Sequence, residues 1–261
     1  MAHVKIITIN TWKCDGDYRA RMALLAEQLY QLKPDIIACQ ECFVCEEAGT
    51  DTLKFLAGQL NMNYLFANGR EKRRFFEGEW LDSLSGLGIL SVYPISAYDI
   101  FSLPATGEDN DRKAPQAVII LPNGMELLLT NIHLTHLRDI ILRKSQAAFV
   151  AKRVASIPGN YIKLICGDFN AEPGSEEVAA LIDTCKAVDT YKTGNGIEPR
   201  CSLLEAYEVG GNICVDHIFA LPLPGGKYPQ FINSAIVLNE PDTNGLYPSD
   251  HFGITTTLIT D

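Results

Sequence analysis

The stretch Ile162-Lys163-Leu164-Ile165-Cys166-Gly167-Asp168-Phe169-Asn170 is an apolar run that breaks off in acid and amide side chains. Its front half, Ile162–Cys166, reads as a buried strand that the glycine brings to an end. Asp168 and Asn170 then fall where apolar periodicity would otherwise continue. The same ending recurs along the chain. Asn10 follows Ile6-Ile7-Thr8-Ile9, Glu41 follows Ile36-Ile37-Ala38-Cys39-Gln40, and His133 follows Leu127–Ile132. Asp216 and His217 interrupt Cys214-Val215 and Ile218-Phe219, and Asp250-His251 precedes the last apolar run. One such residue is ordinarily a cap or a turn former. Six clusters at equivalent positions are hard to assign to turns, and strand ends are where α/β scaffolds gather their sites.

Around these endings, short β-branched runs alternate with amphipathic stretches. Strands are expected at Val4–Ile9, Asp35–Cys39, Gly86–Val92, Ala117–Leu121, Glu126–Ile132, Ile162–Cys166, Val215–Ala220, Ile232–Leu238 and Phe252–Ile259. Tyr18, Met22, Leu25, Leu29 and Leu32 step by four and three residues, which makes one helical face that Pro34 terminates. Leu137, Ile140, Ile141, Ala148 and Val154 repeat the pattern from about Leu137 to Ile157. Pro122-Asn123-Gly124 between two apolar runs is a hairpin turn, because Asn and Gly tolerate positive φ. Hairpins mixed with helical crossovers predict a mixed α/β protein. Without repeats, low-complexity tracts or a Ser/Gly linker, residues 1–261 read as one catalytic domain.

Composition narrows the class. The 261 residues are 47% hydrophobic and 21% charged, as in a globular domain of ordinary solubility. Twenty-two Lys and Arg stand against 32 Asp and Glu, a net charge of −10, which excludes a global basic footprint for nucleic acid or an anionic membrane. A local site escapes that exclusion, since a divalent cation can reverse the field where substrate sits. No apolar run approaches the ~20 residues of a membrane span. The N-terminal apolar stretch is too short for a signal peptide, so the chain is expected to be cytoplasmic and its eight cysteines reduced thiols. Cys39-x-x-Cys42-x-x-Cys45 lacks the next cysteine of an iron–sulfur run and encloses Glu41, which favours buried thiols over a cluster or redox centre.

Hard oxygen ligands without a cysteine or histidine pair at zinc spacing favour Mg²⁺, with Mn²⁺ as a substitute. Mg²⁺ on one or two carboxylates completes its shell with water and phosphate oxygens, and a nearby histidine or aspartate can deprotonate the attacking water. Metal-assisted hydrolysis of a phosphate ester follows from that set.

The ordered blocks Asn10-x-Trp12, Gln40-Glu41, Thr130-Asn131-Ile132-His133-Leu134, Gly167-Asp168-Phe169-Asn170, Asp216-His217-Ile218 and Ser249-Asp250-His251 resemble those of the endonuclease/exonuclease/phosphatase superfamily, the deoxyribonuclease I-like fold. The resemblance runs from Asn10 to the last strand. It implies a four-layered α/β/β/α sandwich, two mixed β-sheets face to face with outer helices and a site at one rim. It implies Glu41 as the principal Mg²⁺ ligand with Asn10 and Asp250 beside it, and Asp168 and Asn170 aligning water and phosphate. It pairs His251 with Asp216 and gives His133 to the scissile phosphate or leaving oxygen. Whether His251 or Asp168 is the general base stays open.

Within that superfamily, base-removing repair nucleases usually carry Tyr where His133 stands. Asn10-x-Trp12 and the following helix with Arg19 and Arg21 resemble the neutral sphingomyelinase and general phosphodiesterase branches. Tyr247-Pro248-Ser249-Asp250-His251-Phe252-Gly253 is similar to the tyrosyl-DNA phosphodiesterase branch. A phosphodiesterase is therefore favoured over a nuclease, with an inactive binding module third, because Glu41, Asp168, Asn170, Asp216 and His251 are all present. The phosphate ester itself and the oligomeric state are left open. Arg70-Glu71-Lys72-Arg73-Arg74-Phe75-Phe76 reads as a solvated loop beside the rim, leading into Ser85-Gly86-Leu87-Gly88-Ile89-Leu90-Ser91. Arg143 and Gln146 share a helical face and read as structural, and His217, on the opposite strand face from Asp216, as a packing residue.

Overall fold

Alternation along the strands sorts the side chains into three apolar layers, described here for residues 2–260 of a computed structural model. In chain order the elements are β1 (Ala2–Asn10), α1 (Tyr18–Leu32), β2 (Ile36–Cys45), β3 (Thr50–Asp51), α2 (Thr52–Leu60), β4 (Asn63–Phe76), β5 (Glu79–Ser91), β6 (Ile95–Ser102), β7 (Lys113–Ile120), β8 (Glu126–His133), α3 (Ile140–Ser156), β9 (Ile162–Asp168), α4 (Glu176–Cys185), β10 (Val188–Asp189), α5 (Thr190–Asn195), α6 (Leu204–Glu208), β11 (Asp216–Ala220), β12 (Gln230–Val237) and β13 (Gly253–Thr260). One sheet runs β12-β13-β1-β2-β5-β4, with β3 on β2, and the other runs β10-β11-β9-β8-β7-β6. Each is mixed. β1 and β2 are parallel in the first, β8 and β9 in the second, and the remaining pairs are antiparallel.

Between the sheets lie Val4, Ile6, Ile36, Ala38, Leu127, Leu129, Leu164, Cys166, Ile218 and Ala220. The alternate residues of the first sheet, Ile7, Ile9, Ile37 and Cys39, pack under Leu25 and Leu29 of α1 and Leu53 and Leu56 of α2. Those of the second, Leu128, Ile132, Ile165 and Phe219, pack under Ala147, Val150 and Val154 of α3 and Leu181 of α4. This is the four-layered α/β/β/α sandwich. Helix ends follow the sequence signals. Asp17 caps α1 by accepting from the Ala20 amide, Lys33 ends it in the left-handed region before Pro34, and Asp139 caps α3 by accepting from Leu142.

The stretch read as a loop, Arg70–Phe76, is instead the outer half of β4. It pairs antiparallel with β5 as far as Phe76↔Glu79, around a two-residue turn in which Glu77 and Gly78 have φ of 52° and 94°. Charged residues on both faces hid the strand, because the outer hairpin lacks the apolar alternation that marks a half-buried one. The edge strand β6, largely exposed, escaped for the same reason. No helix among the described residues is long and apolar enough to cross a membrane.

Candidate active site

The inner faces that form the inter-sheet core do not end with it. Val4, Ile6 and Thr8 continue to Asn10; Leu127 and Leu129 continue to Asn131 and His133; Leu164 and Cys166 continue to Asp168; and Ala220 and Ile218 lead back to Asp216. With a side-chain period of two, a strand that packs apolar residues inward must also point these polar residues inward, at the end where the sheets open. Register aligns them sideways, since β8 sets His133 opposite Asp168 and β11 sets Asp216 opposite Asp168. A polar layer closes the core directly below. Gln40 Nε2 donates to Asn131 Oδ1 at 2.7 Å, and Asn131 Nδ2 donates to the Cys39 and Gly88 carbonyls across the sheets.

Two backbone devices aim the remaining groups. Glu41 lies in a bulge where β2 slips register against β5 between Cys39 and Cys42, at φ 55°, which turns its side chain out of the strand alternation. Gly167 has φ 136°, and a Cβ there would stand 1.9 Å from the Ile132 carbonyl oxygen, so only glycine lets β9 lie this close to β8. Beyond it, Asp168 Oδ1 accepts from the Asn170 amide at 2.8 Å while Asn170 Nδ2 donates to Leu134 O.

Asn10, Glu41, His133, Asp168, Asn170, Asp250 and His251 line one cleft of about 700 Å³. Asp216 sits behind it, fully buried, and its Oδ2 accepts from His251 Nδ1 at 2.9 Å while its Oδ1 has no hydrogen-bond partner among the described residues. Asp168 Oδ2 is the hub. It accepts from Asn10 Nδ2 at 3.0 Å and lies 3.3 Å from His133 Nε2 and 3.9 Å from His251 Nε2.

The electrostatics divide the two histidines. For His251, burial opposes the charged form, but the Asp216 carboxylate, with Asp168 and Asp250, outweighs it and raises the pKa to about 10. For His133, burial comes first, and Arg112, His251 and Lys13 add positive charge, so its pKa falls well below the ordinary 6.5. The two imidazoles are thus pushed in opposite directions, His251 toward its cationic form and His133 toward its neutral form. Burial pushes the Asp168 carboxyl up to about 6, although His251 and its hydrogen bonds pull the other way.

A second charged group lies at the mouth. Glu41 Oε2 accepts from Lys13 Nζ at 2.9 Å, and Asp250 has a raised pKa through burial and then through repulsion by Glu41. Carboxylates that repel one another around an ammonium form a hole for a hard cation, and with the Asn10 amide oxygen the donor set fits Mg²⁺ or Mn²⁺. Asp168, Asp216 and His251 also bring ligand atoms within 4.8 Å of one another. Within that cluster His251 Nδ1 lies 2.9 Å from Asp216 Oδ2.

Arg21, read from the sequence only as one of two arginines on the helix after Asn10, has a structural role that reading did not give it. It is fully buried, and it donates to the carbonyls of Thr11, Trp12, Lys13, Asp15 and Pro248, tying the loop after Asn10 to the loop before Asp250. The signal was its place three residues after Tyr18 and four before Leu25, a charge on the apolar face of α1. Arg112, which donates to the His133 carbonyl, was also unmarked. Gln146 and Arg143 hold the Thr135 backbone, a structural role as expected. His217 packs edge-on to Phe169, with Nε2 2.9 Å from Ala171 O. Cys39, Cys42 and Cys45 are buried in β2, and all eight cysteines are free.

A four-layered sandwich with carboxylates, amides and histidines at one end of its inter-sheet layer is the deoxyribonuclease I-like architecture. The Endonuclease/Exonuclease/phosphatase family profile matches residues 7–251, and the chain belongs to that family. Among solved structures it is similar to zebrafish (D. rerio) TDP2 humanized by 14 mutations, at 21% identity and TM-score 0.77 over 99% of each chain. It is similar to the human nocturnin catalytic domain at 17% and 0.75, covering 98% of this chain and 93% of that one. A mannosyl-6-phosphatase of Bacteroides thetaiotaomicron follows at 18% and 0.71, covering 98% and 100%. At these identities the likeness is one of fold. No curated protein sequence matches the chain significantly.

Proposed function

We propose that the chain, acting as one catalytic domain, is a divalent-metal-dependent phosphoric ester hydrolase that acts on phosphodiesters. The observation that carries this reading is the convergence on Asp168 of Asn10, a neutral His133 and a charged His251, in a cleft whose mouth holds Glu41 and Asp250. Glu41, Asp250 and Asn10 would hold Mg²⁺, which when bound polarises a phosphoryl oxygen.

The chain's own groups supply the rest. Asp168, largely ionised at neutral pH and oriented by Asn10, takes a proton from water as the new oxygen–phosphorus bond forms and the bond to the leaving oxygen breaks. His251, fixed by Asp216, donates from Nε2 to a non-bridging phosphoryl oxygen, where negative charge grows. His133, as a neutral imidazole, donates a hydrogen bond to the leaving oxygen, which departs as the oxyanion and takes its proton from solvent. The different protonation of the two histidines favours Asp168 as base, because an imidazolium has no lone pair to accept the water proton. The neighbours offer no substrate to inherit, since one is named for a sugar monophosphate and the others are not.

The test is hydrolysis of bis(4-nitrophenyl) phosphate and 4-nitrophenyl phosphate by purified protein. Turnover of the diester should appear with Mg²⁺ or Mn²⁺, vanish in EDTA and return on adding metal. Undiminished activity in excess EDTA, or a monoester preferred to the diester, overturns the reading.

A further inference from the structure

The loop after β1 is held in an unfavourable shape. Trp12 and Lys13 have φ of 55° and 40°, two consecutive left-handed residues that are not glycine, and such backbone persists only where its surroundings impose it. Here they do so from several sides. The Trp12 amide donates to Asn10 Oδ1 at 3.0 Å, and the Trp12 carbonyl accepts from the Asp15 amide and from Arg21. The Lys13 carbonyl accepts from Arg21 at 3.2 Å, and the Arg21 guanidinium lies over the Trp12 ring, 4.7 Å from its centroid. What this strained, braced turn delivers into the cleft is the Lys13 side chain.

The ammonium at its end has two seats. Nζ lies 2.9 Å from Glu41 Oε2 and 3.7 Å from Asp15 Oδ2. The Glu41 side chain is 18% exposed and that of Asp15 52%, so one seat is inside the mouth and the other at the solvent edge. Glu41 is as firmly placed as Lys13, by its own positive φ in the β2 bulge. Asp250 joins them: its carboxyl is raised first by burial, eased back by His251, raised again by Glu41 and eased back by Lys13. The inner seat is therefore the same carboxylate pair that fits a hard divalent cation. One carboxylate pair cannot give its full charge to an ammonium and to a divalent ion together. At ~5 Å, repulsion between the two cations is worth about tenfold in affinity even at the dielectric of water.

We propose that Lys13 is the exchange partner of the metal: its ammonium neutralises Glu41 until a divalent cation takes that place, and then moves to Asp15. Lys13 thereby sets the metal concentration at which the site loads. The exchange rests on the metal-dependent reading of the rim, and the test separates the two. Metal affinity is read without substrate, by titrating Mn²⁺ against the free-ion electron paramagnetic resonance signal. Lys13→Gln removes the charge and Lys13→Arg keeps it. With a side chain one-third exposed and carboxylates as its ion-pair partners, the position should accept either without loss of fold. Lys13→Gln should bind Mn²⁺ at least tenfold more tightly than the wild type, and Lys13→Arg should stay within threefold of it.

The movement itself is read by amine acetylation and peptide mass spectrometry of the wild-type protein. Lys13 should be labelled severalfold faster at saturating Mn²⁺ than in EDTA, while the other lysines keep their rates. Equal labelling in the two conditions means that the ammonium stays on Glu41, and it overturns the exchange. Unchanged or weaker Mn²⁺ binding by Lys13→Gln also overturns it, as does a Lys13→Arg variant that binds as tightly as Lys13→Gln; if the nitrophenyl diester is still turned over, the hydrolase stands. Tenfold tighter binding by Lys13→Gln with no turnover of either nitrophenyl ester supports the exchange and removes the hydrolase. Absence of Mn²⁺ binding by all three proteins overturns both.

Discussion

The polar rim and the β4–β5 hairpin share one cleft and are built by opposite rules. At the rim Asn10, His133, Asp168 and Asp216 extend buried strand faces, and neighbours from distant parts of the chain fix them. Asp168 contacts residues 158 positions away in Asn10 and reaches both histidines, while Asp216 is sealed behind His251. On the hairpin cations and aromatic rings stand mostly in water, Arg70 against Asp109 and Asp111 and Arg73 and Arg74 with hydroxyls and carbonyls as their main partners. Chemistry that needs fixed geometry and shifted protonation belongs where two sheets exclude water. Recognition of a variable group belongs on an arm that tolerates change.

If that division holds, the largest effect comes from the hub. Asp168→Asn should keep the fold and lower kcat by about 10²–10⁴, the range of a lost general base. The wild-type profile should carry the matching signs. Activity needs Asp168 ionised and His251 protonated, so kcat/KM should rise with pH up to about 6 and fall near 10. A single limb at the ordinary histidine value would return the base role to an uncharged His251.

Next come His251→Ala and Asp216→Asn, each expected to cost about a hundredfold in kcat. Their double variant should lose far less than the product, because the carboxylate acts through the imidazole. Strict additivity would show two independent roles.

The smaller effects are on stability, and they contrast the regions directly. Arg21→Met strands five carbonyl oxygens in the loops flanking the site and should cost about 2–4 kcal/mol in chemical denaturation, with activity lost alongside. Trp80→Ser removes a ring that is 61% exposed and should cost no more than ~0.5–1 kcal/mol. Equal costs would mean that the hairpin is as integral to the fold as the rim.

Much of the rim was legible in the chain. Asn10, Glu41, His133, Asp168, Asn170, Asp216, Asp250 and His251 could be read as candidates because a period of two makes any polar residue at the end of an apolar run conspicuous, and seven of them do line the cleft with Asp216 behind. The outer hairpin was not legible, since charges on both faces erase that period and only pairing with β5 makes the segment a strand. Arg21 was visible as an anomaly on an apolar helical face, but its partners are carbonyls of two loops more than two hundred residues apart.

The sequence by itself determined the alternation of strands, the mixed α/β class, and which residue types end each inner face, because local periodicity and turn chemistry depend on near neighbours. Tertiary structure alone decided that the His251 pKa is raised and the His133 pKa lowered, that Lys13 meets Glu41, and that Gly167 has no room for a methyl group. Charge state and close approach are through-space properties. They are set by groups that different strands bring together, and two histidines of identical composition part company once one is hydrogen-bonded to the buried Asp216 carboxylate and the other is desolvated beside Arg112.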